Sequence, residues 1–192
     1  MAPMAGAAPV EQELGSGLVY VRVHKLPADL PSTREGPAPA CVLDLRFVEA
    51  DPEAATAFGA WLKFRAAPRS PVYVVVNAGT SSALLRTLRT NPPIAGMISI
   101  GGSGGPFGPD SVVRVSPEEE RKAYDAFESG VAMTALIADQ PNKVRVDEAS
   151  LAKERPAERV DAAAAPRAPH LVDAAVQRAV HLHRSLQAFK KI

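Results

Sequence analysis

The chain has 192 residues, 46% of them hydrophobic and 22% charged, with 22 basic side chains against 21 acidic ones and a formal net charge of +1. That length and balance fit one globular domain with an appendage and exclude a wholly disordered chain. The near-zero charge removes the electrostatic case for a dedicated nucleic-acid binder. Cys41 is the single cysteine, so neither an internal disulfide framework nor a multi-cysteine zinc site is available. No apolar run approaches the ~18 residues of a membrane span.

Residues 1–16 are small and Pro/Gly-containing, with neither a basic start nor an apolar stretch, and are expected to be a flexible N-terminal segment rather than an intact signal peptide. The Ala- and Arg-rich usage suggests a bacterial chain. It would be periplasmic or secreted if an export signal has been removed, and cytoplasmic otherwise.

In chain order, Leu18–His24 is β-rich and bounded by Gly17 and Pro27. A Pro-rich loop leads to a second strand at Cys41–Phe47. Asp51 is placed to cap a helix opening on Pro52 and Glu53, with Ala55, Phe58, Ala60, Trp61 and Leu62 on its apolar face. Pro71–Asn77 is the most apolar strand, of the kind buried on both faces of a sheet. Thr80–Leu88 reads as a helix and Ala95–Ile100 as another buried strand. A glycine loop, Gly101–Gly108, precedes a short strand at Ser111–Val115. Ser116 caps a helix opening Pro117-Glu118-Glu119-Glu120, with the carboxylates at its positive end. This alternation predicts βαβ crossovers and a mainly parallel α/β sheet.

Residues 139–168 are charged and Ala/Pro-rich and read as a linker, with at most a short helix around Asp147–Glu154. Residues 169–192 form an amphipathic helix with a stripe of Val172, Val176, Ala179, Leu182, Leu186 and Phe189. Such a stripe must be buried, either on its own sheet or by exchange or docking in a homo-oligomer.

Few residues carry a chemical signal. Gly101–Gly108 lacks both G-x-G-x-x-G and a terminal Gly-Lys-Ser/Thr, so it is read as a connector and no cofactor is expected. His181 and His183 lie two apart, on different helix faces, and with His24 and His170 they are read as surface or interface histidines rather than metal ligands. Arg178, His181, Arg184, Lys190 and Lys191 read as the solvated face of the last helix. In Val74-Val75-Val76-Asn77-Ala78-Gly79-Thr80-Ser81-Ser82, a buried strand turns sharply into a helix that begins with hydroxyl residues. That geometry either exposes a serine where amide donors favour negative charge or caps the helix with Thr80 or Ser81. Capping is the more economical reading, because Ser and Thr are such common caps.

Taken in order, Leu18-Val19-Tyr20-Val21-Arg22-Val23, Cys41-Val42-Leu43-Asp44-Leu45-Arg46, Pro71 to Leu85 through Asn77-Ala78-Gly79-Thr80, Ala95–Ile100 and Pro109-Asp110-Ser111-Val112-Val113 resemble the catalytic domain of the C-terminal processing (tail-specific) serine peptidases. The resemblance implies a ClpP/crotonase-like domain over residues 17–138, a mainly parallel sheet covered by helices, with Ser82 at the nucleophile position. It also implies a lysine base in the loop after the Ala95–Ile100 strand and a glycine pair after L-D-L-R that supplies oxyanion amides. This chain has no lysine between Lys63 and Lys122, and Phe47-Val48-Glu49-Ala50 stands in place of the glycines. Leu84 and Leu85 occupy the region where the family carries a glutamate.

A serine hydroxyl without a base is a poor nucleophile, and each missing element removes orders of magnitude in rate. The expectation is therefore a degenerate, non-catalytic relative that binds a protein or peptide or serves in assembly. The alternative is an active serine-type peptidase or hydrolase using Ser82 with a non-standard base.

Overall fold

A computed structural model describes residues 10–32, 38–89, 93–103, 107–137, 171–189 and 192. The expected linker, 139–168, lies outside the described residues.

Six strands form one sheet in strictly sequential order: β1 (Val10–Glu13), β2 (Leu18–Arg22), β3 (Ala40–Asp44), β4 (Val72–Val75), β5 (Met97–Gly102) and β6 (Ser111–Val113). β1 pairs antiparallel with β2, and every other pair is parallel. The α/β expectation holds, with two corrections at strand ends. Residues 10–13, read as flexible, are an edge strand turning into β2, with Ser16 at a φ of 56° in the turn. β5 continues through Gly101 and Gly102, which had been assigned to the glycine loop.

Helices α1 (Pro52–Arg65) and α2 (Ser82–Leu88) fill the β3–β4 and β4–β5 crossovers. Parallel connections share one hand, and because the sheet advances in one direction they fall on one face. There α1 and α2 bury Phe58, Leu62, Leu84 and Leu88 against Val21, Leu43, Leu45, Val74 and Val76, one alternate set of strand residues. The two helices meet at Gly59, where a Cβ would come within 2.7 Å of the Thr87 methyl. Asp51 caps α1 by accepting from the Ala54 amide at 2.7 Å, as the sequence predicts.

No crossover covers the other face. It carries Leu18, Tyr20, Val42, Tyr73, Val75 and Ile100, and the chain must return after β6 to bury them. Among the described residues three helices do so: α3 (Pro117–Glu128), α4 (Met133–Leu136) and α5 (Ala174–Ala188). α3 opens on the predicted cap: Ser116 Oγ accepts from the Glu119 amide at 3.2 Å, and the Glu119 carboxylate accepts from the Ser116 amide at 3.1 Å. α5 lies on its own sheet, but with a rotated stripe. Ala175, Val176, Ala179, Val180 and His183 are buried, Leu182 and Leu186 are half-covered, and Phe189 is 75% exposed. His183 is therefore no surface histidine: Nε2 donates to the Ser16 carbonyl at 3.0 Å, and Nδ1 lies 3.4 Å from the Tyr73 hydroxyl.

Towards the C-terminal ends of β2 and β3, this second face changes from apolar to charged. Arg22 is in register with Asp44, and Arg46 follows on the same side; all three are fully buried. Arg46 is held by Asp44 at 2.6 Å and by Asp173, immediately before α5, also at 2.6 Å. Arg22 donates to the Tyr20 hydroxyl at 2.9 Å, to the Tyr124 carbonyl at 3.1 Å and to Glu128 at 2.8 Å. Its Cζ lies 3.8 Å from the Tyr124 ring centroid. The Tyr20 hydroxyl in turn donates to Asp44 at 2.7 Å. Burial alone would raise the Asp44 carboxyl, but Arg46 and Arg22 beside it hold it below the usual carboxylate range.

Asp173 has two tasks, since its Oδ1 also accepts from the Val176 amide at 3.1 Å and so caps α5. Asp173→Ala leaves Arg46 short of a counter-ion in a dry site and uncaps the helix. The expected loss is about 4 kcal/mol, measured as a fall in the urea midpoint. Asp173→Asn, which keeps a capping oxygen, is expected to lose less.

Candidate functional site

Ligands of parallel α/β sheets bind beyond the C-terminal ends of the strands. At that end of β4, β5 and β6 lies a cleft of about 1120 Å³, walled by the β4–α2 turn, Gly101 and Gly102 of β5, the residues after β6 and the start of α3. The candidate Ser82 lines it.

The β4–α2 turn is built by its own polar side chains. Asn77 Oδ1 accepts from the Gly79 amide at 3.0 Å and from the Phe47 amide at 3.3 Å. Thr80 Oγ accepts from the Asn77 amide at 3.1 Å and donates to the Leu45 carbonyl at 2.9 Å. Ser81 is the cap: its Oγ accepts from the Leu84 amide at 3.4 Å, and its own amide donates to the Val48 carbonyl at 3.0 Å. These bonds bind the turn to the end of β3.

Gly79 is required sterically. A Cβ there would stand 2.5 Å from Phe47 Cδ1. The Phe47 ring lies over Gly79, edge-on to Tyr124 at a centroid distance of 4.8 Å, with the Arg121 guanidinium 4.7 Å from its centre.

Ser82 is thus the first residue of α2, exposed, and its hydroxyl accepts from Arg86 Nη1 at 3.3 Å. Arginine stays protonated and cannot act as a base. No lysine or histidine lines the cleft among the described residues. His24 sits elsewhere, 2.9 Å from Glu128. The backbone amides of Phe47 and Gly79, which point to a common site, both donate to Asn77 Oδ1 rather than standing free for an oxyanion. Among the described residues no group of His, Cys, Asp and Glu is arranged to hold a metal ion. Burial pushes the Cys41 thiol up to about 11, the behaviour of an inert core residue.

Glu120 is the titratable group that the sequence reading missed. It sits with Glu118 and Glu119 at the positive end of α3, as the sequence predicts, and it also reaches into the cleft, where it accepts from Asn77 Nδ2 at 3.2 Å. Its spacing to Ala123, Tyr124 and Phe127, the buried stripe of α3, was the available signal. Desolvation raises its pKa, opposed by the Asn77 hydrogen bond and by Arg46.

No family model, curated protein or solved structure matches this chain.

Because the folded chain raises the Glu120 pKa, its ionised form is penalised by folding and its protonated form is not. Glu120→Gln keeps an acceptor for Asn77 and removes that penalty. The variant is expected to melt higher than the parent at pH 7, with the gain shrinking as pH falls through the raised folded-state pKa and vanishing below the ordinary glutamate value of about 4.3. Thermal unfolding across a pH series measures it.

Proposed function

We propose that this protein is a non-catalytic relative of the tail-specific serine peptidases, with a ClpP/crotonase-like domain that binds a protein or peptide segment in the cleft. The ordered motifs support the relationship through their placement. The Asp44-Leu45-Arg46 segment and the Asn77-Ala78-Gly79-Thr80 turn end neighbouring parallel strands and are hydrogen-bonded to each other through Thr80 and Leu45.

One observation carries the non-catalytic part of the reading: Ser82 is exposed beside an arginine, and among the described residues neither carboxylate of the cleft, Glu49 or Glu120, hydrogen-bonds its hydroxyl. A nucleophilic serine needs a neighbour that takes its proton as it attacks. The remaining polar side chains of the turn, Asn77, Thr80 and Ser81, are engaged in holding it together. What remains is an open cleft of mixed polarity at the ligand end of a parallel sheet, suited to binding.

A fluorophosphonate probe tests the reading. The full chain is expected to show only background labelling, identical in Ser82→Ala, and to leave unfolded casein uncut while casein peptides perturb the amides of Gly79, Gly101 and Gly102 in NMR spectra. Labelling that disappears in Ser82→Ala would establish an active serine hydrolase and overturn the proposal.

A further inference from the structure

A second, smaller pocket of about 290 Å³ lies on the far side of the β6 edge, between that strand and α5. Its polar lining is Arg114 from the end of β6 with Gln177, Arg178 and His181 from α5; Val112, Val113 and Ala174 complete it. Val113 and Arg114 also line the main cleft, so the two cavities share a wall.

Among the described residues, no carboxylate lines this pocket. Elsewhere the protein neutralises its clustered guanidinium groups: Arg22 and Arg46 share Asp44, Arg46 adds Asp173, and Arg121 pairs with Asp125 at 2.9 Å. Arg114 and Arg178 form no ion pair with any described residue, although two distant stretches of chain bring them to one pocket. Arg178 is also oriented. Its Nε donates to the Ser111 hydroxyl at 2.9 Å, an anchor that leaves both terminal nitrogens available for a ligand.

We propose that this pocket binds a small phosphate monoester, with the phosphoryl group between Arg114 and Arg178 and His181 as a further donor. Guanidinium groups recognise planar carboxylates and phosphates alike. The charge count separates the two. A phosphomonoester carries about −1.5 to −2 at neutral pH and matches two permanent positive charges, whereas a single carboxylate leaves one unopposed. Its three terminal oxygens also offer acceptors to three converging side chains. The pocket volume leaves room for a few atoms beyond the phosphoryl group, which fits a small metabolite. This site does not depend on the reading of the main cleft.

The test compares phenyl phosphate with benzoate, which share a ring and differ in the anion, by titration of the full chain at fixed ionic strength. Phenyl phosphate is expected to saturate in the millimolar range or below and to bind about tenfold more tightly than benzoate. Arg114→Ala and Arg178→Ala should each weaken it by about tenfold, while Arg69→Ala, an exposed arginine outside the pocket, should change it by less than about twofold. Equal affinity for benzoate, no saturation in the millimolar range, or equal losses in Arg69→Ala and Arg178→Ala would each overturn the proposal. Loss in the two pocket variants alone would sustain it even if the fluorophosphonate result revealed a working hydrolase.

Discussion

The architecture turns on one guanidinium. Arg46 stands at the end of β3 with Asp44 on one side and Asp173 on the other, and all three side chains are out of water. Removing these charges from solvent is costly, and the arrangement is tolerable because each charge has opposite partners within hydrogen-bond distance. The requirement for such a joint follows from topology. A parallel sheet built in strict sequential order places its crossover helices on one face, so the other face waits for a chain segment far away in sequence. An apolar surface alone would accept a helix such as α5 at more than one register. Asp173, fixed by Arg46 and capping α5, selects one of them.

The same joint shapes the cleft. β3 ends in the charged cluster, and the loop that leaves it supplies the Leu45 and Val48 carbonyls that grip the β4–α2 turn. Polar side chains that a sequence motif would assign to chemistry are thereby taken up in holding the backbone. Phe47, at a φ of 61°, turns its ring onto Gly79. Glu120, drawn in from α3 by its neighbours on the buried stripe, then hydrogen-bonds the amide of Asn77. The rim of the cleft is thus tied together by side-chain hydrogen bonds, and the Ser82 hydroxyl faces Arg86.

Much of this was legible in local pattern. The apolar stretch at 72–75 and the nearly apolar one at 97–100, broken only by Ser99, are strands because central parallel strands are covered on both faces. Asp51 and Ser116 announce helix starts because few other side chains can take the orphaned amides there. The local signal fails where tertiary neighbours decide. Val10–Glu13 is polar at three of its four positions, as a strand at the sheet margin can be, and only its pairing with β2 makes it a strand. His183 looks like a surface residue until Ser16 and Tyr73 are brought to it from distant parts of the chain. The α5 stripe is right at Val176 and Ala179 and drifts towards the C-terminus, where several small and apolar residues share the helix and only the sheet face chooses Val180 over Leu182, Leu186 and Phe189. The turn of Glu120 into the cleft is hidden for a related reason, since a helix N-terminus rewards acidic residues whichever way they point.

The central claim is that the sheet's second face is completed by α5 from the same chain, through Arg46 and Asp173. Truncation after Ala168 tests it most directly, read by binding of an apolar dye and by cooperativity of urea unfolding. The account predicts a chain that binds the dye strongly and loses its sharp transition, because Tyr20, Val42, Tyr73 and Val75 lose their cover while Arg46 loses Asp173. A truncated chain that unfolds cooperatively at the parent midpoint, without dye binding, would contradict it.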